Sequence, residues 1–113
     1  MLRSEWRKRK GRSSSWIRRS TRLAIYARDN FDCIYCQSIF PLAYNGAGLT
    51  LEHIIPRSKG GTHEPANLVT ACGRCNSSRQ HRDHPKRELR RLLLQAQKPL
   101  NRELGRVLAK IFK

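Results

Sequence analysis

Acidic residues are scarce in this chain, whose 113 residues include 8 Asp and Glu against 24 Lys and Arg. The formal net charge of +16 repels cationic partners and attracts polyanions. Nucleic acid is therefore the first candidate partner, and an acidic membrane surface is the second.

Long apolar runs are also missing from the sequence. No stretch approaches the ~18–20 consecutive apolar residues that a membrane span requires. The basic N-terminus is not followed by the apolar stretch of a secretory signal. We therefore expect a cytoplasmic protein that has no membrane partner. A length of 113 residues predicts one domain, and a chain this short buries a modest core that a metal ion would help to stabilise. The hydrophobic content of 38% is below the usual range for a globular domain.

Cysteine occurs only in two Cys-x-x-Cys pairs, Cys33 with Cys36 and Cys72 with Cys75. A two-residue spacer lets both sulfurs of a pair turn toward one ion, and Zn²⁺ prefers four such ligands in a tetrahedron. Two disulfides are the alternative in a secreted chain, and unligated thiols are a third possibility. The basic composition and the missing export signal favour a closed structural zinc site.

Composition divides the chain into three parts. Residues 1–19 carry eight Lys or Arg and bury little apolar surface, which predicts a flexible basic arm, with a merely solubilising tail as the alternative. Trp16 is expected to pack on the domain, although stacking on bases is the other role open to it. Residues 20–84 contain both cysteine pairs and form the metal-stabilised domain. Residues 85–113 predict two helices separated by Pro99, whose leucine-rich stripes are packing surfaces.

The central part predicts an α+β fold. Ser20 is the expected N-cap of a helix over residues 21–28. Strands are expected near residues 49–54 and 68–71, pairing antiparallel, and a helix from near Cys75 to about Arg82. This order gives a ββα unit held at its ends by the cysteine pairs.

The adjacent residues Glu52 and His53 are the first candidates for chemistry. A neutral imidazole is a suitable proton acceptor at physiological pH, and a carboxylate is a hard ligand for Mg²⁺. Neighbouring side chains on a strand face opposite sides, so both can serve one site only at a strand end or bend. Pro56 and the pair Gly60-Gly61 predict that irregularity. A surface Glu beside a hydrogen-bonded His is the competing interpretation.

Two asparagines are further candidates for the site that contains Glu52 and His53. Asn76 directly follows a cysteine, and its amide oxygen could complete a divalent-ion site with Glu52; the alternative role is an N-cap. Asn67 lies where the chain turns into the second strand, where its side chain could pin the loop that carries His53 or act as a plain turn residue. His81 and His84 are interpreted as solvated or phosphate-facing.

Several separate motifs, in this order, resemble the HNH endonucleases. The matching stretches are residues 25–29, 33–36, 51–61, 67–69 and 72–76, within a region of about residues 20–82. The resemblance is to the zinc-containing branch, in its His-Asn-Asn variant. It implies the ββα-metal (His-Me finger) core of that family.

The resemblance also implies roles for individual residues. His53 would be the general base, Glu52 and Asn76 would bind a catalytic Mg²⁺ or Mn²⁺, and Asn67 would orient the loop between them. Glu52 stands where Asp or His is also common, and Arg79 stands where Lys is common. Basic side chains are expected to contact flanking phosphates: Arg57, Lys59, Arg74 and Arg79.

The implied activity is metal-dependent nicking of double-stranded DNA with low sequence specificity. Small free-standing members of this family are frequent in phages, where some work beside the packaging terminase, so a terminase or other packaging protein in a bacterial host is an implied partner. Two alternatives remain open. One is a zinc-stabilised module that binds nucleic acid without cutting it, and the other is a structural accessory that docks through its C-terminal leucines.

Overall fold

The protein is described here from a computed structural model, which covers residues 16–37, 48–78 and 84–112. Its fold is α+β, as predicted, with two strands and four α-helices among those residues. The elements in chain order are α1 (Arg19–Arg28), β1 (Leu49–His53), β2 (Leu68–Cys72), α2 (Gly73–Ser78), α3 (Lys86–Ala96) and α4 (Arg102–Ile111).

The two strands form an antiparallel hairpin that joins the cysteine end of β2 to the start of β1. The register pairs Leu49 with Cys72 and His53 with Leu68. Leu49 and Leu51 point to the core face of β1 and are buried. Thr50 and Glu52 point to the other face and are half-buried, because side chains alternate along a strand. Every residue of β2 is buried, because helices cover both faces of that strand.

The main core lies between α1, α4 and one face of the hairpin. Leu23, Ile25 and Tyr26 of α1 pack with Leu68 of β2 and Leu108 of α4. A second cluster on the other face joins β2 to α3 and contains Ile54, Val69, Leu92 and Ala96. Both C-terminal helices therefore pack on the domain itself.

Gly105 allows α4 to approach α1 closely. A Cβ atom at Gly105 would overlap the carbonyl oxygen of Ser20 and lie 2.7 Å from the Cβ atom of Ala24. The predicted apolar stripe of this helix is only partly buried. Leu108 is buried, but Leu104, Val107 and Ile111 remain exposed.

A buried ion pair at the end of α1 ties this helix to β2 and to α3. The Arg28 guanidinium donates to the Asp29 carboxylate at 2.8 Å and to the carbonyl oxygens of Leu68 and Ala96. The Asp29 carboxylate accepts from the Thr70 amide at 2.9 Å. Charge-assisted bonds satisfy both buried charges, which is what keeps such a pair from destabilising a core.

Two predicted helix starts differ from the structure. Helix α1 begins at Arg19, with Arg18 at the N-cap position and no side-chain cap, so Ser20 lies in the first turn and is not the cap. Helix α2 begins at Gly73, before Cys75, and its predicted end lies outside the described residues.

The last part of the predicted basic arm is folded. Ile17 is buried in the main core, Trp16 packs against that core, and Arg19 is already helical, because this short stretch has apolar residues that cover α1. Residues 1–15 lie outside the described part of the chain. Among the described helices, none is both long enough and apolar enough to cross a lipid bilayer.

Candidate functional site: a thiol cluster and the end of strand β1

The four cysteines converge at the base of the hairpin. Their sulfur atoms all lie within 4.8 Å of one another, and Cys36 Sγ lies 3.9 Å from Cys72 Sγ. The backbone amides of Cys36 and Cys75 donate to the sulfurs of Cys33 and Cys72, at 3.5 and 3.4 Å. All four are free thiols, so the structure contains neither of the alternative disulfides.

The chemistry of this donor set fits a zinc ion. Burial, followed by hydrogen bonds to the other three thiols, raises the pKa of Cys75 to about 12. Thiols packed this closely resist losing their protons unless a cation compensates the charge, and a coordinating divalent ion does so. Four sulfur ligands leave no open position, which is the arrangement of a structural zinc site.

Glu52 lies on the face of β1 that looks toward the first cysteine pair. Its Oε2 atom accepts a hydrogen bond of 2.8 Å from the Tyr35 hydroxyl, between Cys33 and Cys36 in sequence. His84 Nε2 lies 3.9 Å from the same oxygen, and His84 Nδ1 bonds Glu88 Oε1 at 2.9 Å.

The interpretation of His84 as a solvated or phosphate-facing residue is wrong. Its side chain is only 8% exposed, because it stacks on the Tyr35 ring with centroids 6.1 Å apart and pairs with two carboxylates. His81 lies outside the described residues.

Asn76 lies on the same side of the hairpin as Glu52. Its Nδ2 donates to Thr50 Oγ1 at 2.8 Å, and Thr50 and Glu52 share one face of β1 because they are two residues apart. The Asn76 Oδ1 atom makes no hydrogen bond to the described residues. A carboxylate and an amide oxygen are donors that suit Mg²⁺ or Mn²⁺, with water completing the coordination.

His53 points to the opposite side of the strand. Its Nε2 lies 2.9 Å from His63 Nδ1, and His63 Nε2 lies 2.6 Å from the Arg57 guanidinium. The Trp16 ring covers both imidazoles, with centroid distances of 5.0 Å to His53 and 4.4 Å to His63.

The row of contacts from Arg57 through His63 to His53 determines which ring nitrogens carry protons. A guanidinium can only donate, so His63 Nε2 accepts, and in the neutral ring His63 Nδ1 then donates to His53 Nε2. Burial lowers the pKa of His53, and the neighbouring His63 and Arg57 side chains lower it further. His53 is therefore neutral at physiological pH, with its lone pair on Nε2.

The structure thus divides the predicted catalytic groups between two faces. Glu52 and Asn76 share one side of β1 and His53 lies on the other. His53 is the last residue of the strand, and the chain bends immediately after it. One phosphate can approach both sides only around this strand end.

Asn67 holds the bend after His53. Its Oδ1 accepts from the Ile55 amide at 2.9 Å, and its Nδ2 donates to the carbonyl oxygens of Ile55 and Thr62 at 3.1 and 2.9 Å. Gly61 completes the turn, because any Cβ there would overlap the Ile55 carbonyl oxygen. These contacts fix the loop that carries the imidazole.

Three of the basic residues predicted to meet phosphates are exposed, namely Arg57, Lys59 and Arg74. Arg79 lies outside the described residues. His63 and Tyr35 were not predicted to belong to the site, and Trp16 was expected to pack on the domain, with stacking on bases as the alternative. The signals available were slight: His63 follows the Gly-Gly turn closely, and Tyr35 stands inside a cysteine pair.

Two comparisons with known proteins match this chain to endonucleases. The sequence profile of the family described as HNH endonuclease matches residues 33–92, more than half of the chain. A CRISPR-associated endonuclease Cas9 of Corynebacterium diphtheriae is 40% identical over 53 residues. That match covers 46% of this chain and 4% of the Cas9 protein, so the chain spans only a small fraction of that relative's length.

Proposed function

The chain belongs to the HNH endonuclease family, and from this premise we propose that it hydrolyses phosphodiester bonds in DNA, one strand at a time, with a divalent ion. The observation that carries the proposal is His53, a neutral and half-buried imidazole fixed at the end of β1. The matched stretch of a protein named as an endonuclease also supports it.

In the proposed reaction, His53 Nε2 accepts a proton from water, and the water oxygen attacks the phosphorus. The P–O3′ bond breaks and the electron pair stays on the leaving 3′ oxygen. His63 must release Nε2 before water can reach it, so His63 and Arg57 control access to the base. Mg²⁺ or Mn²⁺, when bound by Glu52 and Asn76, would stabilise the charge that develops on the phosphate oxygens.

We propose a structural role for zinc in the same site. The clamp of Cys33, Cys36, Cys72 and Cys75 would fix two groups on the Glu52 side. Tyr35 lies inside one cysteine pair and bonds Glu52, while Asn76 follows the other pair and bonds Thr50.

DNA is the proposed substrate because the net charge of +16 favours a polyanion and because Arg57, Lys59 and Arg74 are exposed near the site. Contacts to phosphates carry no sequence information, which accords with low specificity. A terminase or other packaging partner and a cytoplasmic location stay predictions.

The test is nicking of supercoiled plasmid with Mg²⁺ or Mn²⁺ by the wild type and by His53→Ala. Losing a general base should slow nicking about 10²–10⁴-fold. The matched control is Ser58→Ala, since Ser58 is exposed in the loop after β1. This variant should nick at the wild-type rate. Equal rates for His53→Ala and wild type would overturn the role of His53.

A second candidate function is a binding module that holds nucleic acid without cutting it. One observation favours it: the His53 acceptor nitrogen is occupied by His63, and Glu52 lies across the strand. A wild type that binds DNA but does not nick it with either ion, while carrying its full complement of zinc, would establish this function instead.

A further inference from the structure

A cationic cavity opens on the His63 side of the candidate site. Its volume is about 340 Å³, within the ~300–1,000 Å³ typical of ligand pockets. The start of α1, the turn before β2 and the first half of α4 line it. The lining residues are Arg18, Ser20, Thr21, His63, Glu64, Pro65, Arg102 and Arg106.

The charge in this cavity is mostly uncompensated. Glu64 is the one carboxylate among the lining residues, against three guanidiniums. Arg106 pairs with Glu103 at 2.8 Å, but both side chains are more than half exposed and such a pair is weak. Within residues 16–37, 48–78 and 84–112, the Arg18 and Arg102 side chains have no hydrogen-bond or salt-bridge partner.

His63 connects the cavity to the candidate base. His63 lines the cavity, and its Nδ1 atom lies 2.9 Å from His53 Nε2. The cavity therefore begins one imidazole away from the atom proposed to activate water. A nucleic-acid strand whose scissile phosphate lies at the end of β1 would extend a neighbouring phosphate in this direction.

We propose that this cavity binds a phosphodiester group of the DNA strand, next to the one that is cut. The inference rests on the proposed function and adds where the substrate's flanking backbone lies. Guanidiniums recognise phosphate through paired, charge-assisted hydrogen bonds, and the hydroxyls of Ser20 and Thr21 add further donors. Arg18, Arg102 and Arg106 are exposed, so the cavity admits a continuous backbone.

The experiment measures binding of a short fluorescent DNA duplex by full-length, zinc-loaded His53→Ala protein, which should leave the duplex intact. Arg102→Gln and Arg18→Gln are introduced one at a time. Neither removes a bond within the described residues, so both should fold. Arg87→Gln is the matched control, because Arg87 is exposed on α3 and does not line the cavity.

Each cavity variant should weaken binding about tenfold and make the salt dependence shallower by about one unit of slope, the effect of one lost phosphate contact. The control should lose at most about twofold. Equal losses for Arg102→Gln and Arg87→Gln would overturn the proposal. A response of the cavity to inorganic phosphate without the excess loss of DNA affinity would also overturn it, since the site would then serve a free anion.

Failure of this proposal and failure of the proposed nuclease activity are separable. If the wild type does not nick plasmid but the cavity variants still lose DNA affinity beyond the control, the cavity assignment stands and the nuclease assignment fails. If the wild type nicks and the cavity variants match Arg87→Gln in DNA affinity, only the cavity assignment fails.

Discussion

Tyr35 is the residue that joins the thiol cluster to the candidate metal ligand. Its hydroxyl donates to Glu52 Oε2 at 2.8 Å, and its ring stacks on His84. Tyr35→Phe keeps the stacking and removes the hydrogen bond that orients the carboxylate. We expect the Mn²⁺ concentration for half-maximal nicking to rise about tenfold, because partners of metal ligands typically contribute 10–100-fold to affinity.

Bound zinc should stay at one ion per chain in the Tyr35→Phe protein, since the hydroxyl is not a zinc ligand. Titration of nicking with Mn²⁺, together with metal analysis, measures both quantities. An unchanged Mn²⁺ requirement would show that the Tyr35 hydroxyl does not position Glu52.

Thr70 carries a hydroxyl that is wholly buried and, within the described residues, has no hydrogen-bond partner. An unsatisfied buried hydroxyl destabilises a protein by about 1–3 kcal/mol, and Val has nearly the same shape as Thr. Thr70→Val should therefore raise the free energy of unfolding by about 1 kcal/mol, measured by urea denaturation.

The matched control is Thr50→Val on the partner strand. Its hydroxyl donates to the Ala71 carbonyl oxygen at 3.0 Å and accepts from Asn76 Nδ2. The same substitution should lower the free energy of unfolding there by about 1 kcal/mol. A loss of stability in Thr70→Val would mean that the Thr70 hydroxyl is satisfied in solution.

For individual residues, the sequence predicts contacts between near neighbours in the chain better than contacts between side chains that packing brings together. A bond from Asn67 to the loop after His53 is foreseeable because turn asparagines bond nearby backbone. The pairing of His53 with His63, and of Glu52 with His84, depends on how whole elements pack. No local pattern encodes those contacts.

Among the elements, α1 and α4 depend on Gly105 for their close packing. Gly105→Ala inserts a methyl group against the Ser20 carbonyl oxygen, so α4 must move away from α1. Overpacking of this kind should lower the free energy of unfolding by about 2 kcal/mol. Thermal unfolding followed by circular dichroism measures the change.

Gly73→Ala is the control for that substitution. Gly73 is also helical, but the nearest atom to an added Cβ would be the Gly48 carbonyl oxygen at 4.0 Å. Stability should be unchanged or rise by less than about 1 kcal/mol. Equal losses in the two variants would mean that the α1–α4 contact is not the cause.

Residue type and spacing explain which elements were predictable. The spacing of apolar residues identified α3 and α4, and runs of β-forming residues between turn signals identified the two strands. Helix starts were less predictable, since Arg18 at the start of α1 makes no capping bond that its residue type could signal. The exposure of apolar residues on α4 was not predicted either. Their spacing identifies an apolar stripe but does not tell how much of it the neighbouring elements cover.

The whole molecule is small enough that the thiol cluster should decide whether it folds. Cys33 and Cys72 are buried, and the cluster joins the chain before β1 to the end of β2. Removing zinc with a chelator in reducing buffer should abolish the cooperative thermal transition, because metal-binding free energy is folding free energy in such domains. Adding back Zn²⁺ should restore it.

Circular dichroism melts with and without chelator, alongside zinc analysis, measure this dependence. Cys36→Ser should resemble the chelated protein, since oxygen is a poor substitute for thiolate. A protein that melts identically with and without zinc would show that the packed core alone supports the fold.

Trp16 anchors the N-terminal basic segment beside the candidate general base, His53. The ring lies on His53 and His63, and the fifteen residues before it contain six Lys or Arg. Whatever shape those residues take, fifteen residues span at most about 50 Å. If the proposed DNA substrate binds to these basic residues, it stays within about 50 Å of the His53 imidazole. Its effective concentration at the candidate site is then raised, as for any tethered ligand.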